Sequence, residues 1–244
     1  YQSEMPEKVE QRLKEITVDV ASVTLPAELS FEETGMVLSP VRELPVGSFT
    51  FDMVIDAMGQ EIKMQSTVNI TKSANQYVIT EETTSPMGKG TDEIKIDART
   101  FNPISRNVNQ GPVTLSIAYS DTLAEGTIIN AANTSPISVG LDAPLFAEGP
   151  GWVFMLAALP LSINYKAVYR NLNLNTLAVK ILRMNTVSEI LEDGTKTWRL
   201  DIEPADGSGG SGKVWVDAKS FKVIKFEQII PEMAGAKMTG TLVK

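Results

Sequence analysis

Two patterns in the sequence carry residue types that do chemistry, and each is decided by its neighbours. The run Gly207-Ser-Gly-Gly-Ser-Gly212-Lys213 has the letters that open a phosphate-binding loop. Such a loop needs a helix N-terminus directly after the lysine, so that backbone N–H groups point at the anion. Here Val214 stands where Ser or Thr is required, and Lys213-Val-Trp-Val-Asp217 alternates like a strand. The run therefore reads as a flexible hairpin loop. The doublets Glu32-Glu33 and Glu81-Glu82 form the second pattern. Glycoside cleavage needs two carboxylates facing one another across a sugar, whereas neighbours in a strand point to opposite faces, so both doublets read as solvated strand edges. No Asp-rich loop has calcium-site spacing. The sequons Asn69-Ile-Thr71 and Asn133-Thr-Ser135 bear on glycosylation only in a glycosylating host.

The chain of 244 residues has no Cys and no His. That removes thiolate and imidazole metal ligands, Ser-His and Cys-His dyads, and the side chain that ordinarily moves protons near neutral pH. An enzyme built from what remains would need a cleft carboxylate or Lys with a strongly shifted pKa. The expectation is a non-enzymatic protein with neither catalytic residues, metal nor cofactor. A net charge of −8 repels phosphate backbones, so no nucleic-acid partner is expected. The longest apolar run, Trp152 to Leu161, is about half of what a bilayer-spanning helix requires, so the chain is expected to carry no transmembrane segment.

The elements around these residues alternate with period two. Glu4 to Glu15, with Pro6 near its start, predicts a short amphipathic helix, and Ile16 to Leu25 a strand. Phe49, Phe51, Met53 and Ile55 alternate with Thr50, Asp52 and Val54, Met58-Gly59 breaks the run, and Ile62 to Ile70 resumes it, which predicts a hairpin. The strand Gln76 to Thr80, the loop Ser85 to Gly90 and the strand Ile94 to Ile96 follow.

The hexamers Ile96-Asp-Ala-Arg-Thr-Phe101 and Val216-Asp-Ala-Lys-Ser-Phe221 echo one another at an offset of 216 − 96 = 120 residues. Leu44-Pro-Val46 and Leu159-Pro-Leu161, Thr67-Val68 and Thr186-Val187, and the aromatic strands at Tyr77 and Trp198 recur in the same order at nearly the same offset. This predicts a duplicated antiparallel meander. The expected fold is mostly β: one domain (1–244) holding a curved antiparallel sheet, a half-barrel or clam, from two tandem meanders. It carries an N-terminal helix and strand (1–43), a first meander (44–122), a connector with a short central apolar helix (123–158) and a second meander (159–244). Trp152, Phe154, Met155, Leu156 and Leu159 lie outside the repeat and are too apolar for a surface, so they are the expected lining of a ligand cavity on the concave face.

The turn Asp97-Ala-Arg-Thr-Phe-Asn-Pro103, the Leu159-Pro-Leu161 after an apolar helix and the closing Val214 to Glu227 together resemble a family of uncharacterised bacterial envelope proteins. That family's fold is similar to the periplasmic lipoprotein carriers LolA and LolB, and the likeness covers roughly residues 44–244. It implies an open half-barrel whose concave face holds a lipid, another hydrophobic small molecule or a lipid-modified protein. No individual ligand residue transfers. The alternative is a structural or interaction module with a filled core and an envelope protein as partner. A chain opening on Tyr1, with no signal-peptide pattern, is expected to be a mature periplasmic or extracellular protein, any lipoprotein-type anchor lying in a segment outside it.

Overall fold

The structure, a computed structural model, describes residues 38–86, 88–130 and 133–243. The chain divides into two compact units, Tyr1–Thr34 and Gly35–Lys244, and the described residues belong to the second. The helix expected at Glu4 to Glu15, the strand at Ile16 to Leu25 and the doublet Glu32-Glu33 lie outside them.

Fourteen strands form one antiparallel sheet. Eight come first: β1 (Gly47–Ala57), β2 (Gln60–Ser73), β3 (Gln76–Ser85), β4 (Gly88–Asp97), β5 (Pro103–Gln110), β6 (Val113–Tyr119), β7 (Leu123–Asn130) and β8 (Asn133–Gly140). After the helix α1 (Trp152–Ala157) come β9 (Lys166–Asn173), β10 (Ala178–Ile190), β11 (Lys196–Pro204), β12 (Gly212–Asp217), β13 (Val223–Ile230) and β14 (Ala236–Leu242). Each run pairs in chain order, and the two runs join where β1 meets β14, from Phe51 opposite Leu242 to Asp56 opposite Lys237. The edges of the sheet are therefore β8 and β9, and residues 141–165 carry the chain from one edge to the other. The stretch 123–158, which the repeat left unexplained, contributes β7, β8 and α1.

The turns follow from local chemistry. Met58 and Gly59 both take positive φ (53° and 82°) in the two-residue turn between β1 and β2, where a tight hairpin demands it. The echoed hexamers build the same turn twice. Asp97 Oδ1 accepts from the N–H groups of Arg99 and Thr100 and from the Thr100 hydroxyl; Asp217 Oδ1 does the same with Lys219 and Ser220. Phe101 and Phe221 both sit at positive φ (60° and 56°) and donate their N–H groups back to the Asp97 and Asp217 carbonyls. A register shift precedes each turn, between Lys95 and Ile96 and between Trp215 and Val216. Two copies of one meander, β1–β6 and β9–β14, share even this irregularity.

The helix α1 fills the concave face. Its Phe154 ring lies 4.8 Å from Phe49 and 5.9 Å from Phe51, while Trp152 meets Phe226 at 5.8 Å. Gly151 precedes the helix at φ 72°, and a Cβ there would stand 2.8 Å from Ile79 Cγ2, so the helix enters against the sheet without room for a side chain. One end of the barrel is covered by residues 38–46: Leu38 and Leu44 are buried, the Arg42 guanidinium lies 3.3 Å above the Phe221 ring, and Val41 N–H donates to the Ala158 carbonyl.

Asp97→Ala and Asp217→Ala each remove three hydrogen bonds from equivalent turns. Each is expected to lower unfolding stability by about 1–2 kcal/mol in urea denaturation. Because hydrogen bonding in the folded turn holds both carboxyls below the ordinary Asp range, this contribution is present above the unfolded value and fades as pH falls through the folded one. Equal stability of variant and parent at neutral pH contradicts this.

Candidate functional site

The end of the barrel opposite residues 38–46 opens into a cavity of about 550 Å³. Parity along the strands explains its walls. Residues on the concave face recur at every second position, so Leu182, Ile202 and Met238 reach the cavity from β10, β11 and β14. Trp152, at the start of α1, and Tyr169 of β9 form the floor. Asn171, Asn173, Asn175 and Gln228 stand with Glu232 among the lining groups. A smaller recess of about 390 Å³ lies beside the Asp97 turn, and its Asp97 and Thr100 side chains are committed to that turn.

One wall of the cavity is ionic. On β4 the concave-facing Ile96 and Ile94 are followed by Asp92, and on β5 Val108 shares its face with Arg106. The Arg106 guanidinium gives Nε and Nη2 to Asp92 (3.0 and 2.6 Å) and Nη1 to Glu148. Glu148, in the connector, is 1% exposed, and its second oxygen accepts the Leu172 N–H of β9 at 2.7 Å. Burial raises the Glu148 carboxyl above its ordinary range, against the pull of Arg106 and the Leu172 N–H. Despite its burial, the Arg106 guanidinium is held protonated by its carboxylate partners. Beside this cluster, Ser66 donates its hydroxyl to Glu81, whose carboxyl burial also pushes upward. Glu81 thus faces inward on the parity of Tyr77 and Ile79, which corrects its expected place on a solvated edge.

Of the five residues expected to line a ligand site, Trp152 lines the open cavity, half-buried. Phe154, Met155, Leu156 and Leu159 are buried in the core between α1 and the sheet. Sequence reasoning missed Asp92, Arg106 and Glu148. The available signal was a charged residue at a core position of an alternating strand, Arg106 two residues before Val108.

The DUF3108 family, described as proteins of unknown function, matches residues 40–238, and the chain belongs to it. No curated protein matches the chain. Among solved structures, the chain is similar to a β-barrel-like protein of the domain of unknown function DUF1849 from Brucella abortus. That likeness has 10% identity and a TM-score of 0.48, over 84% of this chain and 98% of that one.

Replacing Arg106 by Met strands Asp92 and Glu148 without their counter-charge, and the expected loss is about 3–5 kcal/mol of stability in chemical denaturation. Glu81 titrates in the other sense from the turn aspartates. Between its unfolded value and its raised folded value the native chain holds a proton that the unfolded chain has released, so stability falls as pH rises there. Glu81→Gln is expected to flatten that stretch of the stability curve, and an unchanged slope contradicts it.

Proposed function

We propose that the protein is a non-enzymatic binding protein of the cell envelope, which holds a lipid-like ligand in the open cavity of its half-barrel. The observation that carries this is the cavity itself: about 550 Å³, within the range of roughly 300–1,000 Å³ in which small ligands are held. Its apolar wall is formed by Trp152, Tyr169, Leu182, Ile202, Ile230 and Met238, with amides grouped among the other lining residues. An apolar body with a polar head matches that division. The resemblance to an uncharacterised envelope family, whose fold is similar to that of the LolA and LolB carriers, supports both the envelope setting and the ligand class. The ligand does not replace α1, whose buried contacts belong to the core; it sits beyond Trp152, toward the open end.

A second reading, an interaction module of an envelope assembly, is favoured by one observation. Phe154, Met155, Leu156 and Leu159 are at most 4% exposed, so the middle of the concave face is filled by the protein's own side chains. In that reading the cavity receives part of a protein partner instead of a lipid.

The neutral, fluorescent apolar dye N-phenylnaphthylamine separates the two. Saturable binding at one dye per chain is expected, and Met238→Trp, which fills the cavity, is expected to weaken it at least about tenfold, or 1.4 kcal/mol. Absence of saturable binding, or undiminished binding by Met238→Trp, contradicts the lipid-binding proposal.

A further inference from the structure

We infer that the cavity selects its occupant by charge, taking an amphiphile with an uncharged, hydrogen-bonding head and rejecting anionic ones. This rests on the binding proposal above and deepens it. The charged residues lining the cavity are Asp92, Arg106, Glu148 and Glu232, three carboxyl groups to one guanidinium. The guanidinium is already committed: Nε and Nη2 bind Asp92, and Nη1 binds Glu148. An anionic head would therefore enter a site whose cation faces two carboxylates of its own, and would lose its hydration without gaining a partner. Were Glu148 protonated, Asp92 and Glu232 would still outnumber Arg106. A further cation, Lys180, lines an adjoining recess together with Glu232 and also interacts with Asp206. The net charge of −8 adds a long-range repulsion in the same direction.

Cationic heads gain little from Asp92 and Glu148, whose oxygens are occupied as well, and only the exposed Glu232 stands nearly free for them. Both oxygens of Asp92 accept from Arg106, and Glu148 divides its two between Arg106 and the Leu172 N–H. Glu232 accepts a long bond of 3.4 Å from Asn173 Nδ2. What the cavity offers a head is amide chemistry. Asn171 spends its Nδ2 on the Ala147 carbonyl at 3.2 Å and keeps an amide oxygen, and Gln228 lines the same space with a donor and an acceptor. Hydroxyl and amide groups of an uncharged head pair with such side chains at no Coulombic cost.

The experiment holds the chain length fixed and changes the head. Octyl glucoside, octyl sulfate and octylammonium are titrated into the protein at neutral pH below their micelle concentrations, with heats read by calorimetry. Octyl glucoside is expected to bind at least about tenfold more tightly than octyl sulfate, with octylammonium between them. Gln228→Lys, which brings an uncommitted cation to the cavity, is expected to narrow or invert the gap by strengthening octyl sulfate alone. Tightest binding of octyl sulfate or octylammonium by the parent protein overturns the charge selection while leaving a ligand-binding cavity in place. Failure of all three to bind, together with failure of the neutral dye, overturns the cavity as a lipid site and this inference with it.

Discussion

The structure depends on how one strand edge is satisfied. β9 is an edge of the sheet, yet it is buried on both faces: Tyr169 joins the main core, and Leu172 packs in a second cluster with Val108 and Leu115 of β5 and β6. A buried edge cannot leave its backbone groups to water. The connector supplies the partners. Phe146 N–H donates to the Arg170 carbonyl, the Glu148 carboxylate accepts from Leu172 N–H, and Asp142 forms a two-point pair with the Arg170 side chain at 2.8 Å. Through Arg106, the same Glu148 reaches back to β5 and Asp92 of β4. The half-barrel is held around its core by a carboxylate seam in place of a closing strand pair.

That seam dictates the odd geometry of the connector and the position of the cavity. To bring Glu148 under Arg106 the backbone takes positive φ at Ala147, Gly149 and Gly151, and a Cβ at Gly149 would stand 2.8 Å from the Arg106 side chain. The chain then turns at once into α1, whose apolar face drops into the concave sheet. The helix is six residues long, so it fills the middle of the barrel and stops. Space remains at the end where the β5 and β9 walls are tied together by charge, and that space is the cavity. The other free edge is treated differently. In β8, Pro136 has no N–H to offer an incoming strand.

Much of this architecture was legible in the sequence because it is local. Period-two runs gave the strands from β1 to β4, Met58-Gly59 gave the first hairpin, and the echoed Asp-Ala-cation-hydroxyl-Phe hexamers are the same turn in two meanders. Trp152 to Leu159 announced a buried helix by being apolar all round. What was not legible lies far apart in the chain. Arg106 and Glu148 are separated by 42 residues, and the pairing of β1 with β14 joins the two ends of the described fold. Nothing in a single sequence distinguishes Glu148, in a Gly- and Pro-rich loop, from a solvated loop glutamate. Its role appears only when β9 is found to be an edge. The lining of the cavity was not legible for the same reason: Trp152 borders it, but which of its neighbours face the sheet depends on how the connector is anchored.

The central claim is that ligand occupies the open end beyond Trp152 while α1 stays seated as core. The most direct measurement is methionine methyl NMR on the protein titrated with octyl glucoside. Met238 lines the cavity, and Met155 is fully buried in α1. The account predicts a saturable shift of the Met238 methyl resonance with Met155 unmoved. A shift of Met155 equal to or larger than that of Met238 would mean that ligand displaces the helix, and no shift of Met238 would mean that the cavity does not receive it; either result contradicts the account.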